Sequence, residues 1–164
     1  MVIISDYISP QGNFEPIKVH KPHRDDWTRN CPPLDCIKIY TDGSKMESGT
    51  GAGVYSNSLN LRLSFKLKEN CSVFRAEVFA VRKAAELISK MKGDIIGPVT
   101  IYIDSQAGLE SLRPHSIRSA AVLDCKNALE ALKSIVTLCW VPGHCSIEGN
   151  RKADELARCE SEPT

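Results

Sequence analysis

Cys36-Ile37-Lys38-Ile39-Tyr40-Thr41-Asp42-Gly43-Ser44 is the stretch from which the rest of the chain can be read. Residues 36–41 alternate as a strand, with Ile37 and Ile39 on one face. The run closes on a carboxylate, Asp42. A second apolar, β-branched run, Val99–Ile103, closes the same way on Asp104. Carboxylates brought together at strand ends repel and cost stability unless a cation neutralises them. A sequence that concentrates this liability at one edge of a sheet has a use for it.

Outward from Asp42, Gly43, Gly49, Gly51 and Gly53 punctuate a turn into a second strand around Ala52–Ser56. A third, Leu61–Leu67, alternates Leu61, Leu63, Phe65 and Leu67 against Arg62, Ser64 and Lys66. Three short strands joined by tight turns predict an antiparallel meander. Ser72 then offers an N-cap. Beyond it Phe74, Val78, Val81, Ala85 and Ile88 recur at steps of four and three residues, an amphipathic helix that ends near Gly93 and Gly97-Pro98. After the Val99–Ile103 strand, helical patterns run at about 105–112 and 116–134, parted by Arg113-Pro114. Ile135–Val141 reads as a fifth strand and about 150–159 as a last helix. The order is β-β-β-α-β-α-α-β-α, and crossover helices make the later strands parallel to the first. The expected class is α/β: a five-stranded mixed sheet with helices on both faces.

Residues 1–35 read differently. They hold Pro10, Pro16, Pro22, Pro32 and Pro33, five of the nine prolines, and show no clear period. This predicts an extended N-terminal arm or linker, packing locally through Phe14 and Trp27, ahead of a domain over 36–164.

The 164 residues suit one domain with a genuine core. Net charge is +1, so no global field drives the protein onto nucleic acid, and any basic footprint is local. The seven cysteines, at 31, 36, 71, 125, 139, 145 and 159, form no Cys-x-x-Cys pair. Neither a zinc site nor a disulfide framework is indicated. The opening Met1-Val2-Ile3-Ile4 lacks the basic flank and the length of a secretion signal, and no run approaches the roughly 20 apolar residues of a membrane span. The expectation is a protein of a reducing intracellular compartment, nucleus and/or cytoplasm, with no membrane partner.

Four acidic residues carry the chemistry, and each has a local alternative. Asp42 before Gly43 could make a turn. Glu77 could be a first-turn helix carboxylate. Asp104 could cap the helix after it, and Asp154 could pair with Arg158 one turn on. Together they would form a cage of hard oxygen ligands, suited to magnesium or manganese rather than zinc.

The ordered segments Tyr40-Thr41-Asp42-Gly43-Ser44, Phe74-Arg75-Ala76-Glu77, Ile103-Asp104-Ser105-Gln106, Trp140-Val141-Pro142-Gly143-His144 and Gly149-Asn150-Arg151-Lys152-Ala153-Asp154 resemble a type 1 ribonuclease H. The similarity covers roughly 36–160 and is greatest to the ribonuclease H domains that follow the reverse transcriptase in non-LTR retrotransposons. It implies a ribonuclease H-like fold and endonucleolytic hydrolysis of the RNA strand of RNA–DNA hybrids, leaving 5′-phosphate and 3′-hydroxyl ends. It implies two Mg²⁺ ions about 4 Å apart, replaceable by Mn²⁺, held by Asp42, Glu77, Asp104 and Asp154. Asp42 would bridge them. His144 would be an auxiliary proton-handling residue, and Gly43, Ser44, Asn70, Ser105 and Gln106 substrate contacts. The implied partners are the hybrid and a reverse transcriptase domain of the same polyprotein. Arg151, usually acidic in relatives, and Arg75 depart from the pattern and make the rim more basic. Two rivals stand beside this reading: a non-catalytic hybrid-binding or structural module of a retroelement polyprotein, and a DNA-cutting integrase or transposase of the same superfamily. Four retained carboxylates argue against the first, and the motif spacing against the second.

Overall fold

The computed structural model describes residues 17–28, 36–113, 119–143 and 147–161. The meander is present as β2 (Ile37–Met46), β3 (Gly49–Ser56) and β4 (Leu61–Leu67), preceded in the chain by a short strand, β1 (Lys18–His20). Helix α1 (Val73–Met91) leads to β5 (Val99–Ile103). Then come α2 (Gln106–Ser111), α3 (Ala120–Glu130), β6 (Val136–Trp140) and α4 (Glu148–Ser161). The described strands form one sheet in the order β1-β6-β5-β2-β3-β4. β2 pairs antiparallel with β3 and parallel with β5, so the sheet is mixed.

The expected five strands are therefore six. Lys18, Val19 and His20 pair parallel with Thr137, Leu138 and Cys139 of β6, along an edge whose N–H and C=O groups would otherwise face solvent. Three residues are too few to show a period, which is why this strand stays hidden in the proline-bearing segment.

Alternation along the central strands builds two apolar layers. Ile39, Ile101 and Leu138 lie in the layer under α1 and α3, against Val78, Val81, Ala85 and Ile88 of α1 and Val122, Cys125 and Leu129 of α3. Their chain neighbours Tyr40, Tyr102 and Cys139 face the other way, into a second cluster with Ala153 of α4 and Trp27. Trp27 meets Tyr102 edge-on at 5.6 Å between ring centroids, and Tyr102 stacks on Tyr40 at 4.8 Å.

Two glycines let the helices approach the sheet closely. A Cβ on Gly43 would lie 2.5 Å from the Glu77 backbone nitrogen, and one on Gly53 would lie 2.3 Å from the Ala153 carbonyl. Gly43 thus admits the first turn of α1 on one face, and Gly53 admits α4 on the other. Both contacts bring acidic residues toward Asp42, which pairs directly with Gly53.

Candidate active site

Asp42 does not end its strand. β2 continues through Gly43 to Met46, paired with β3 all the way, so the turn reading of Asp42-Gly43 is set aside. Asp104 follows the last residue of β5, and the cap of α2 is its neighbour: Ser105 Oγ accepts from the Gly108 N–H at 2.9 Å. Asp104 is left free of capping. Glu77 stands in the first turns of α1, whose N-cap Ser72 Oγ accepts from the Arg75 N–H at 3.2 Å.

One carboxylate oxygen each from Asp42, Glu77 and Asp104 lies within 4.8 Å of the others. Asp42 and Glu77 are only 3% and 6% exposed. Burial, and then the charges of Glu77 and Asp104, push the Asp42 carboxyl up to about 12. Burial and the Asp104 charge push Glu77 up to about 8, although it accepts hydrogen bonds from Asp42 and from the Gly43 backbone. Asp104 is raised as well, chiefly by burial. Without a cation, burial and mutual repulsion favour the protonated forms of these groups, and a divalent cation would compete with those protons.

Asp154 lines the same cleft, of about 570 Å³, and is a hydrogen-bond partner of Asp42. It also pairs with Arg158 at 3.0 Å, as its spacing on a helix allows. Both descriptions of Asp154 hold at once.

The donor set fits a hard divalent cation. All the donors are carboxylate oxygens, and Glu77 Oε2 is buried with no hydrogen-bond partner among the described residues.

The proposed substrate contacts are dispersed. Gly43 and Ser44 line the cleft. Asn70 lies in a separate cleft of about 290 Å³ with Arg75 and Arg82. The Ser105 hydroxyl is engaged in its cap, and Gln106 is exposed at the start of α2. His144 falls outside the described residues. Three basic side chains, Lys45, Arg151 and Arg158, stand on the cleft wall, and none was singled out as a contact from the sequence. Asn150, 7% exposed, was also missed. The available signal was its position four residues before Asp154, on one face of a helix.

Residues 35–162 match the sequence pattern of the family described as RNase H. The chain belongs to the ribonuclease H family. Ribonuclease H activity, hydrolysis of the RNA strand of RNA–DNA hybrids, goes with that membership. The chain is similar to the Pol polyproteins of equine infectious anemia virus isolates 1369 and CL22, at 32% identity over 150 residues in each case. Those matches take in 90% of this chain but only 13% of the polyproteins. It is also similar to the ribonuclease H of Francisella philomiragia subsp. philomiragia, 35% identical over 139 residues, covering 74% of this chain and 88% of that protein. Among the described residues no helix is long and apolar enough to cross a membrane.

Proposed function

We propose that this ribonuclease H works with two Mg²⁺ ions, Mn²⁺ serving in their place, and that Asp42, Glu77, Asp104 and Asp154 hold them. The observation that carries this is the convergence of three carboxylates, two of them deeply buried, within 4.8 Å. When bound, such ions lower the pKa of an attacking water and stabilise the leaving oxygen. The chain's own residues do the rest. Asp42, which interacts with the other three carboxylates, would be a ligand common to both ions. Lys45, Arg151 and Arg158 give the cleft wall the local positive charge that a net charge of +1 does not supply, and they position backbone phosphates. His144, next in sequence to cleft-lining Gly143, is the auxiliary proton carrier, a role suited to imidazole near neutral pH. Products carry 5′-phosphate and 3′-hydroxyl ends.

The wider setting is reverse transcription in a retroelement, of the non-LTR type that the chain's motifs resemble, with a reverse transcriptase domain in the same polyprotein. Similarity to a viral Pol polyprotein supports a polyprotein setting. So does the modest charge. An isolated domain of this kind binds hybrid weakly and with steep salt dependence, and attachment to a second binding domain raises the effective concentration. Reduced thiols at Cys71, Cys125 and Cys159 suit a reducing intracellular compartment.

The test is cleavage of end-labelled hybrid, double-stranded RNA and double-stranded DNA with Mg²⁺, with Mn²⁺ and with a chelator. Cutting confined to the RNA of the hybrid and abolished by the chelator is expected. Equal cutting of DNA, or hybrid binding without cutting in either metal, would overturn the proposal.

A further inference from the structure

Helix α4 packs chiefly against β2, β3 and β4, so on its side of the sheet β5 and β6 are left for another element. Residues 17–28 supply one. Ile17 and Val19 pack against the apolar layer under α1 and α3, while β1 pairs with β6. The chain then crosses to the opposite face. There Trp27, 6% exposed, meets Tyr102 of β5 edge-on, in the cluster that also holds Cys139 and Val141. The segment thus grips the β6 edge from both faces. A further hold is electrostatic: Lys21 pairs with Glu110 of α2 at 3.6 Å.

A linker needs none of these contacts, and they do not serve the cleft. No described residue of 17–28 lines it. β1 runs parallel to β6, and β6 to β5, so Ile17 lies toward the end of the sheet opposite Asp104. The holds are also few enough to break as a set. β1 has three residues, and the Lys21–Glu110 pair is exposed. Burial leaves Trp27 Nε1 with no hydrogen-bond partner among the described residues, a cost that only the docked state carries. The family match begins at residue 35, beyond this segment, whereas the matches to Pol polyproteins take in too much of the chain to omit residues 18–28.

We propose that the β6 edge and the α4-side face of β5 form a docking surface for a strand-and-tryptophan segment, filled here by residues 17–28 and able to take the same segment from a separate chain. The surface recognises a strand parallel to β6 with apolar side chains at alternate positions, and an indole further on that covers Tyr102. Docking holds the polypeptide ahead of Ile17 at the end of the sheet away from the carboxylates. It therefore joins the nuclease to what precedes it without closing the cleft.

The experiment places a site-specific protease sequence within residues 29–35 of the full chain, cuts it, and keeps both pieces together. Gel filtration with mass spectrometry, at micromolar protein, follows retention of the N-terminal piece. Fluorescence anisotropy follows its exchange with a dye-labelled synthetic peptide of residues 15–30. The cut protein should keep its N-terminal piece, and the labelled wild-type peptide should exchange in. Peptides carrying Trp27→Ala or Val19→Asp should bind at least about tenfold more weakly, since each loses a buried apolar anchor. Release of the N-terminal piece from cut wild-type protein, with the remainder folded or unfolded, overturns the proposal. So does equal binding of the wild-type and Trp27→Ala peptides, which would make the contact non-specific.

Discussion

Two rows of side chains on the same two strands make opposite contributions to this protein. Tyr40 of β2 and Tyr102 of β5 are register partners, stacked at 4.8 Å and capped edge-on by Trp27. Two residues further along come Asp42, on the same face of β2 as Tyr40, and Asp104, just past the end of β5. The aromatic row attracts through buried area and ring geometry, with an N-terminal segment drawn over it, and this outweighs the buried, unpartnered Nε1 of Trp27. The acidic row carries the repulsion: Asp42 is raised by burial and by the charges of Glu77 and Asp104, and Glu77 by burial and the charge of Asp104. The stable row holds the strand ends together, and the unstable row uses that fixed spacing. Stability and chemistry are separated by about one pleat of β-sheet.

The strongest way to break the comparison is Asp104→Asn. It removes one ligand charge and keeps the shape, so cleavage should fall to background while the metal-free protein melts at the same or a higher temperature. Activity close to wild type would remove Asp104 from the ligand set. The opposite pattern is expected of Trp27→Ala. Loss of a core aromatic costs about 3–5 kcal/mol, so the midpoint in urea should drop markedly. Per-molecule cleavage, assayed where the variant is folded, should be unchanged. An unchanged midpoint would show that the segment around residue 27 is dispensable to the aromatic row.

A subtler expectation concerns pH in the metal-free protein. Glu77 is held at about 8 against an ordinary value of 4.5, and Asp42 and Asp104 shift in the same direction. The unfolded chain releases these protons first, so the fold is favoured below the ordinary carboxylate range and loses stability as pH rises toward about 8. With chelator, melting temperature should fall between about pH 5 and about pH 8 more in wild type than in Asp104→Asn. Added Mn²⁺ should restore more at the higher pH. A fall of equal size in both proteins would detach the effect from this cleft. The smallest effect belongs to the rim. Lys45→Ala should leave melting unchanged and lower the salt-dependence slope of hybrid binding by about one. An unaltered slope would place Lys45 off the phosphate path.

Much of this was legible without coordinates. Leu61–Leu67 and Val99–Ile103 have the predicted bounds, and α1 begins after the expected Ser72 cap because a hydroxyl there meets the N–H three residues on. The misreadings have local causes. Asp42-Gly43 looks like a turn, yet β3 pairs through it and α1 requires its missing Cβ. Lys18–His20 lacks the length to show alternation, and only the edge of β6 makes it a strand.

The sequence by itself determined which residues can do chemistry here, and which strands and helices carry them, because periodicity, caps and the pKa of a side chain's own functional group are local properties. That Asp42, Glu77 and Asp104, 35 and 27 residues apart along the chain, share a space less than 5 Å across was decided by the tertiary structure. So was the double engagement of Asp154 with Asp42 and Arg158. The reason is that strand register, helix-to-sheet distance at Gly43 and Gly53, and the burial that shifts these carboxyls all arise from non-local contacts, which no window of the sequence contains.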